Sequence, residues 1–180
     1  MATELRGSWH MRLNRKCVSL RVARKGDCRL LWQWRNDPRV RRSSFSTGMV
    51  RWDEHVKWFE SKLNDSRCVI YIAMTKGRVP MGQVRYDLRG NHAAVSVSLD
   101  QQFRGKGYGS SVLRLASQKL LKARSVRFIH AYVKRGNKAS VAAFAKAGYK
   151  RRRRTTKFHG YAVTHLVLDR DHPVGKQNSN

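Results

Sequence analysis

The residues best suited to chemistry in this 180-residue sequence form the stretch Arg104-Gly105-Lys106-Gly107-Tyr108-Gly109-Ser110. Its glycines alternate, upstream residues read as a strand, and Val112, Leu113, Ala116 and Leu120 downstream recur at helical spacing. Glycine lets a backbone come close to a ligand, and the first N–H groups of a helix have no partner within it. A pyrophosphate fits such a turn, since its oxygens supply the missing acceptors. Candidates for proton transfer lie elsewhere: Glu54, His55, Asp87 and His130 as bases, with His55 first among them, and Tyr132 as an acid. Arg35, at a helix end, suits bidentate contact with phosphate. Trp32, Trp34, Trp52 and Trp58 could stack on a planar ring, but aromatic residues on helix faces more often belong to the core. The same bland reading applies to a half-buried histidine at position 55, and to Arg151-Arg152-Arg153-Arg154 as a solvated charge run.

The elements that must position these groups follow in chain order. Val18 to Ala23 alternates as a strand. Asp27 is placed to cap a helix that buries Leu30, Leu31 and Trp34 and ends near Asp37-Pro38. After a polar link from Ser43 to Gly48, Trp52, Val56, Phe59 and Leu63 mark a second helix. Cys68 to Met74 and Met81 to Leu88 are strands joined by a hairpin connection at Lys76 to Pro80, and Gly90-Asn91 turns the chain into a strand at Ala93 to Leu99. The glycine turn and its helix then lead to a strand at Val126 to Val133, a β-α-β crossover. Asn137 opens a last helix with Val141, Phe144 and Ala145 inward, Gly148 stops it, and Tyr161 to Leu168 is the final strand.

Composition limits the function classes. At 41% hydrophobic residues the chain is not wholly disordered, and its length suits one domain. Against 39 Lys and Arg stand 11 Asp and Glu, a formal charge of +28 that predicts anionic partners and leaves nucleic-acid or ribosome contact open. Cys17, Cys28 and Cys68 show no metal or redox spacing, so no metal site is expected and a reducing cytoplasm suits them. No apolar run reaches membrane-spanning length, and the N-terminus lacks the apolar core of a signal peptide. Residues 1–16 read as a flexible basic leader, 17–170 as the domain, and 171–180 as a disordered tail.

Order and motifs together resemble the GNAT family of N-acetyltransferases over roughly residues 18–169. Arg104-x-x-Gly107-x-Gly109 is similar to the family's pyrophosphate loop. Asn137-x-x-Ser140-x-x-x-Phe144-x-x-x-Gly148-Tyr149 is similar to the helix that flanks its coenzyme arm. The resemblance implies an α/β (α+β) domain with a mixed, mostly antiparallel twisted sheet flanked by about four helices. It also implies acetyl-CoA as donor and an amine as acceptor. Trp34-Arg35-Asn36-Asp37-Pro38 and Glu54-His55-x-x-Trp58-Phe59 resemble the branch that acetylates UDP-linked 4-amino sugars in pseudaminic acid synthesis. Acetyltransferases of ribosomal-protein N-termini share a weaker version. A non-catalytic nucleic-acid-binding module on the same shell is the third reading.

Acetyl transfer sets three needs: a polyanionic donor held fast, a neutral amine beside it, and a stabilised oxyanion. Backbone from Arg104 through Gly105, Lys106, Gly107, Tyr108 and Gly109 to Ser110 is expected to hold the pyrophosphate, and Val97, Ser98 and Leu99 to pair with the pantetheine amides. The resemblance adds Asn137, Ser140 and Phe144 on the coenzyme side. Many relatives have a tyrosine that protonates the leaving thiolate where this chain has Phe144, which has no proton to give. Arg35, Asn36, His55, Trp58 and Asp87 are the expected acceptor contacts.

Overall fold

The computed structural model describes residues 18–152 and 156–171. The expected leader, Cys17, Arg153, Arg154 and all of the expected tail but Asp171 lie outside them. The strands are β1 (Val18–Val22), β2 (Cys68–Thr75), β3 (Pro80–Arg89), β4 (His92–Leu99), β5 (Phe128–Lys134), β6 (Lys150–Arg151), β7 (Thr156–Phe158) and β8 (Tyr161–Asp169). The helices are α1 (Cys28–Asn36), α2 (Pro38–Ser43), α3 (Trp52–Asn64), α4 (Tyr108–Ala123) and α5 (Lys138–Lys146). One mixed sheet runs in the order β1-β2-β3-β4-β5-β8-β6, with β7 also on β8, and only β4 and β5 pair in parallel.

Both faces of this sheet are covered, which explains the unbroken apolar run of β2. Ile70 and Ile72 point into a cluster with Leu31 and Trp34 of α1 and Phe59 of α3. Tyr71 and Ala73, one residue out of phase, point into the larger core with Met81, Val84, Val112, Leu113, Ala116 and Ile129. A buried chain of hydroxyls joins that second layer: Tyr86 Oη lies 3.0 Å from Ser117 Oγ, which lies 2.7 Å from Tyr149 Oη. Because every member is hydrogen-bonded, burying these groups fixes α4 and the end of α5 on the sheet at little desolvation cost.

Local structure departs from expectation in four places. Five helices are present among the described residues rather than about four, because Asp37-Pro38 both ends α1 and starts α2. Asp37 Oδ1 accepts from the Arg39 and Val40 N–H groups at 2.9 and 3.1 Å, and Pro38 takes the first helical position, where its missing N–H costs nothing. Asp27 does not cap α1; its carboxylate accepts the Arg24 N–H at 2.7 Å and pairs with Arg21 at 2.6 Å, closing the 3-10 turn before the helix. Val126 and Arg127 precede β5 rather than belonging to it, since the Arg127 and Phe128 N–H groups bond to Asn91 O. Finally, β6 and β7 add two short strands on β8 that carry too few residues to show a period.

Candidate active site

Sheet geometry creates the site. β4 and β5 stay in register over only three pairs, ending at Ala94–His130, although the strands have eight and seven residues. Beyond that pair they diverge, so the edge of β4 from Val95 to Leu99 that faces β5 has no strand partner. An extended ligand can add itself there as a strand would, through main-chain hydrogen bonds. On its other side β4 is held tightly. A Cβ on Gly82 would lie 2.4 Å from Ser98 O, so only glycine lets β3 approach β4 beside Ser98 and Leu99. Sequence reading missed Gly82, because an isolated glycine in a strand does not reveal what lies opposite it.

The glycine turn sits at the end of the diverging edge. Gly105 and Gly107 have φ of +72° and +77°, a left-handed region that other residues enter at a cost, and Gly107 is the N-cap of α4. The N-terminal end of α4, the positive end of its dipole, therefore opens directly at the loop. Gly109 has another role. It lies within α4, where a Cβ would meet Ala143 Cβ at 3.6 Å, so it keeps α4 close to α5 rather than the backbone close to a ligand. The Arg104 side chain turns away from the loop: Nη1 pairs with Asp37 Oδ1 and Nε donates to Leu99 O, at 2.9 and 2.8 Å. It anchors the loop to the α1–α2 corner, while Nη2 is buried with no hydrogen-bond partner among the described residues. Burial works against ionised Asp37, but the Arg104, Val40 and Arg39 hydrogen bonds prevail and hold its carboxyl below the usual range.

Across the sheet from α4, a cavity of about 130 Å³ opens between α1, α3 and the strands. Its walls include Arg35, His55, Trp58, Gln83, Arg85, Ser96, Val97 and Ser98. Thus Arg35, His55 and Trp58 meet Val97 and Ser98 around one space, while Asn36 and Asp87 do not join them. Asn36 clamps the loop before α3, with Oδ1 accepting Val50 N–H at 2.8 Å and Nδ2 donating to Val50 O at 2.9 Å. Asp87 lies between Lys62 and Arg85, 2.9 Å from each. Glu54 is exposed in the first turn of α3. Trp34 is core and donates to Asp100, and Trp32 donates to Val50 O. Of the described tryptophans, Trp58 alone lines this cavity, with the Arg85 guanidinium 5.2 Å from its ring.

Arg35 is the unusual wall residue. Nη2 donates to Ser46 O at 2.8 Å, while Nη1 is buried with no hydrogen-bond partner. Burial, then the charges of Arg41 and Arg85, lowers its pKa. His55 is 2% exposed and donates Nε2–H to Cys28 O at 3.1 Å, with its ring stacked on Phe59. Burial, with Arg35 adding to it against the Cys28 bond, lowers its pKa too, so the ring is neutral. Its Nε2–H is spent on the backbone, which fixes the ring in the cavity wall.

The remaining expected coenzyme contacts belong to α5. Asn137 caps it, accepting Ser140 N–H at 3.1 Å, and Phe144 is buried edge-on to Tyr149. Tyr132 lies on the diverged part of β5 and stacks between Phe158 and His165, at 4.3 and 4.6 Å.

The sequence model of the GNAT acetyltransferase domain matches residues 18–150. The chain belongs to this family. It is an N-acetyltransferase that takes its acetyl group from acetyl-CoA. No curated protein matches the sequence. Among solved structures, spermidine N-acetyltransferase from Vibrio cholerae, in complex with CoA and spermine, aligns with a TM-score of 0.78 and 15% identity over 86% of this chain and 96% of its own. Aminoglycoside acetyltransferase AAC(6')-Ib in complex with coenzyme A aligns with a TM-score of 0.75 and 19% identity over the same shares, as does its complex with coenzyme A and kanamycin. At these identities the likeness is one of fold. The diverging strands and glycine turn suit the coenzyme: the loop backbone from Arg104 to Ser110 would hold pyrophosphate, and the free edge from Val97 to Leu99 the pantetheine amides.

Proposed function

We propose that this acetyltransferase acts on an amine carried by an anionic, phosphate-bearing molecule, with a nucleotide-linked 4-amino sugar as the best fit. The carrying observation is the buried, unpartnered Nη1 of Arg35 on the cavity wall. Such a donor costs about 1–3 kcal/mol when unsatisfied, and a phosphate oxygen removes that cost with a charge-assisted bond. Arg85 stands on the same wall, paired with Asp87 from outside it, and no Asp or Glu is among the described residues that line the cavity. Spermine and kanamycin, bound in the related structures, carry several amino groups, and guanidinium groups on the wall disfavour such cations. Trp58 supplies a flat apolar face for a sugar or base.

A second reading, acetylation of ribosomal-protein N-termini, draws on the +28 charge, which favours residence near polyanionic particles. Thiol release from acetyl-CoA with a UDP-linked 4-amino-4,6-dideoxy sugar, a basic peptide, spermidine and kanamycin separates these readings. The sugar nucleotide is expected to give the highest kcat/KM. Turnover with the peptide alone selects the second reading.

A further inference from the structure

On the face of the sheet that carries Ser96 and Ser98, histidines from three strands form a row. His92 Nδ1 of β4 lies 2.7 Å from His130 Nε2 of β5, and His130 Nδ1 lies 3.0 Å from His165 Nε2 of β8. The rings stack in sequence, with centroids 5.0 and 5.2 Å apart. His130 occupies the last registered pair before β4 and β5 part, and along β4 from its partner Ala94 the next residues on that face are Ser96 and Ser98 of the cavity wall. His165 is paired with and stacked on Tyr132, which lies past the split. At the far end His92 is exposed. The row thus crosses the sheet from His165 on β8, through His130 at the point where β4 and β5 part, to exposed His92.

Its hydrogen bonding dictates what it can do. Each contact between two imidazole nitrogens holds one proton, so three neutral rings point both bridging protons the same way. One outer nitrogen is then protonated and the other open. A proton accepted at the open end shifts each bridging proton by one ring and expels a proton at the other. His130, with both nitrogens engaged, can only conduct. Burial first, then His165, His92 and Arg152, lowers its pKa to about 4, so the interior ring is neutral at neutral pH. The other charges beside it are Arg127, over the Phe128 ring, and Asp169 and Asp171, which pair with Arg127.

We propose that His92, His130 and His165 are a proton relay between the acetyl-transfer cleft and solvent. The proposal rests on acetyl transfer to an amine and not on which amine. The acceptor arrives as an ammonium, His165 takes one proton at Nδ1, and His92 releases one from Nε2 to water. The amine nitrogen then bonds to the thioester carbon, and the C–S bond breaks. His165 Nδ1–H supplies the proton of the leaving thiolate, which Phe144 cannot give, while water returns a proton to His92. The surplus proton on the new amide nitrogen leaves to water, and the row regains its starting tautomers.

His130→Gln keeps a side chain that can bond to both neighbours but cannot conduct. Its expected behaviour is acetyl-CoA affinity within about twofold of wild type by calorimetry, kcat with the UDP-linked 4-amino sugar lower by roughly ten- to a hundredfold, and partial rescue by added imidazole. His92→Gln, at the outlet, should make turnover rise with buffer concentration. A rate loss that imidazole does not relieve and that follows a loss of coenzyme affinity overturns the relay, because the row is then a clamp between strands. An unchanged kcat and pH profile overturns it as well. Nitrogen-15 spectra of wild-type protein labelled at histidine need neither an acceptor nor a stable variant. Two shared bridging protons and an interior ring neutral down to about pH 5 support the relay, and three rings titrating independently near 6.5 sink it. If wild type leaves the sugar nucleotide untouched, the acceptor reading fails and these spectra decide the relay alone.

Discussion

The proposed donor and acceptor halves of the site are built from different materials. The donor half is backbone: the free edge of β4, two glycines with positive φ and the first turn of α4. The acceptor half is side chain: Arg35, Arg85, Trp58 and His55 around a small cavity, under a loop held by Asn36 and Trp32 through Val50. Backbone geometry recognises a donor through amides and phosphates common to every coenzyme A. Side chains decide which amine enters. Two proteins can therefore share a fold at under 20% identity, as this chain does with the aminoglycoside and spermidine acetyltransferases.

Substitutions can break this contrast, and the largest effect is expected at Gly107. Valine there forces a β-branched residue into φ of +77° and blocks the turn, so acetyl-CoA binding by calorimetry should fall more than a hundredfold while circular dichroism retains the fold. Affinity equal to wild type contradicts a backbone-built donor site. Next, Arg35→Ala should lower kcat/KM for the sugar nucleotide by roughly ten- to a hundredfold or slightly more, the loss of a charge-assisted contact of about 1.5–3 kcal/mol. Coenzyme binding is expected to be spared; a parallel loss there would mean that the halves are not separable. Gly82→Ala drives a methyl group against Ser98 O and should open the β3–β4 spacing. By the usual cost of overpacking, about 1–3 kcal/mol, KM for acetyl-CoA should rise roughly tenfold, against no change if the strands are free to part.

The ease of reading these halves follows the same division. The glycine turn was legible because its spacing, the strand before it and the helix after it are local features. The clamp made by Asn36 is not legible for a physical reason: a polar residue at a helix end looks the same whether or not it holds Val50 fourteen residues on. Arg104 belongs to the loop motif, yet its guanidinium is committed to Asp37, a contact across 67 positions that no local pattern encodes. The histidine row was the least legible. His92, His130 and His165 come together only through strand pairing, and His130 alone drew notice as one candidate base among several.

Smaller effects sharpen the account. Phe144→Leu should raise the KM for acetyl-CoA a few-fold with little change in saturated turnover, since the ring packs and donates no proton; a collapse of turnover at normal coenzyme affinity would give it a chemical role. The smallest effect concerns the Asp37–Arg104 pair. Because the folded-state pKa of Asp37 is lowered, its contribution to stability is present above the unfolded value of about 3.9 and is lost as pH falls through the folded one. Asp37→Asn should therefore melt a few degrees below wild type at neutral pH, with the gap closing below about pH 4. A gap that stays constant with pH assigns the loss to helix capping alone.

The most direct test of the contrast is one competition at fixed acetyl-CoA. Thiol release is followed with three amines: the UDP-linked 4-amino sugar, the same amino sugar without its nucleotide diphosphate, and spermidine. An acceptor wall built around Arg35 and Arg85 predicts a kcat/KM at least tenfold higher for the first than for either of the others, with the advantage lost in Arg35→Ala. Equal turnover of the free sugar, or preference for spermidine, would contradict it.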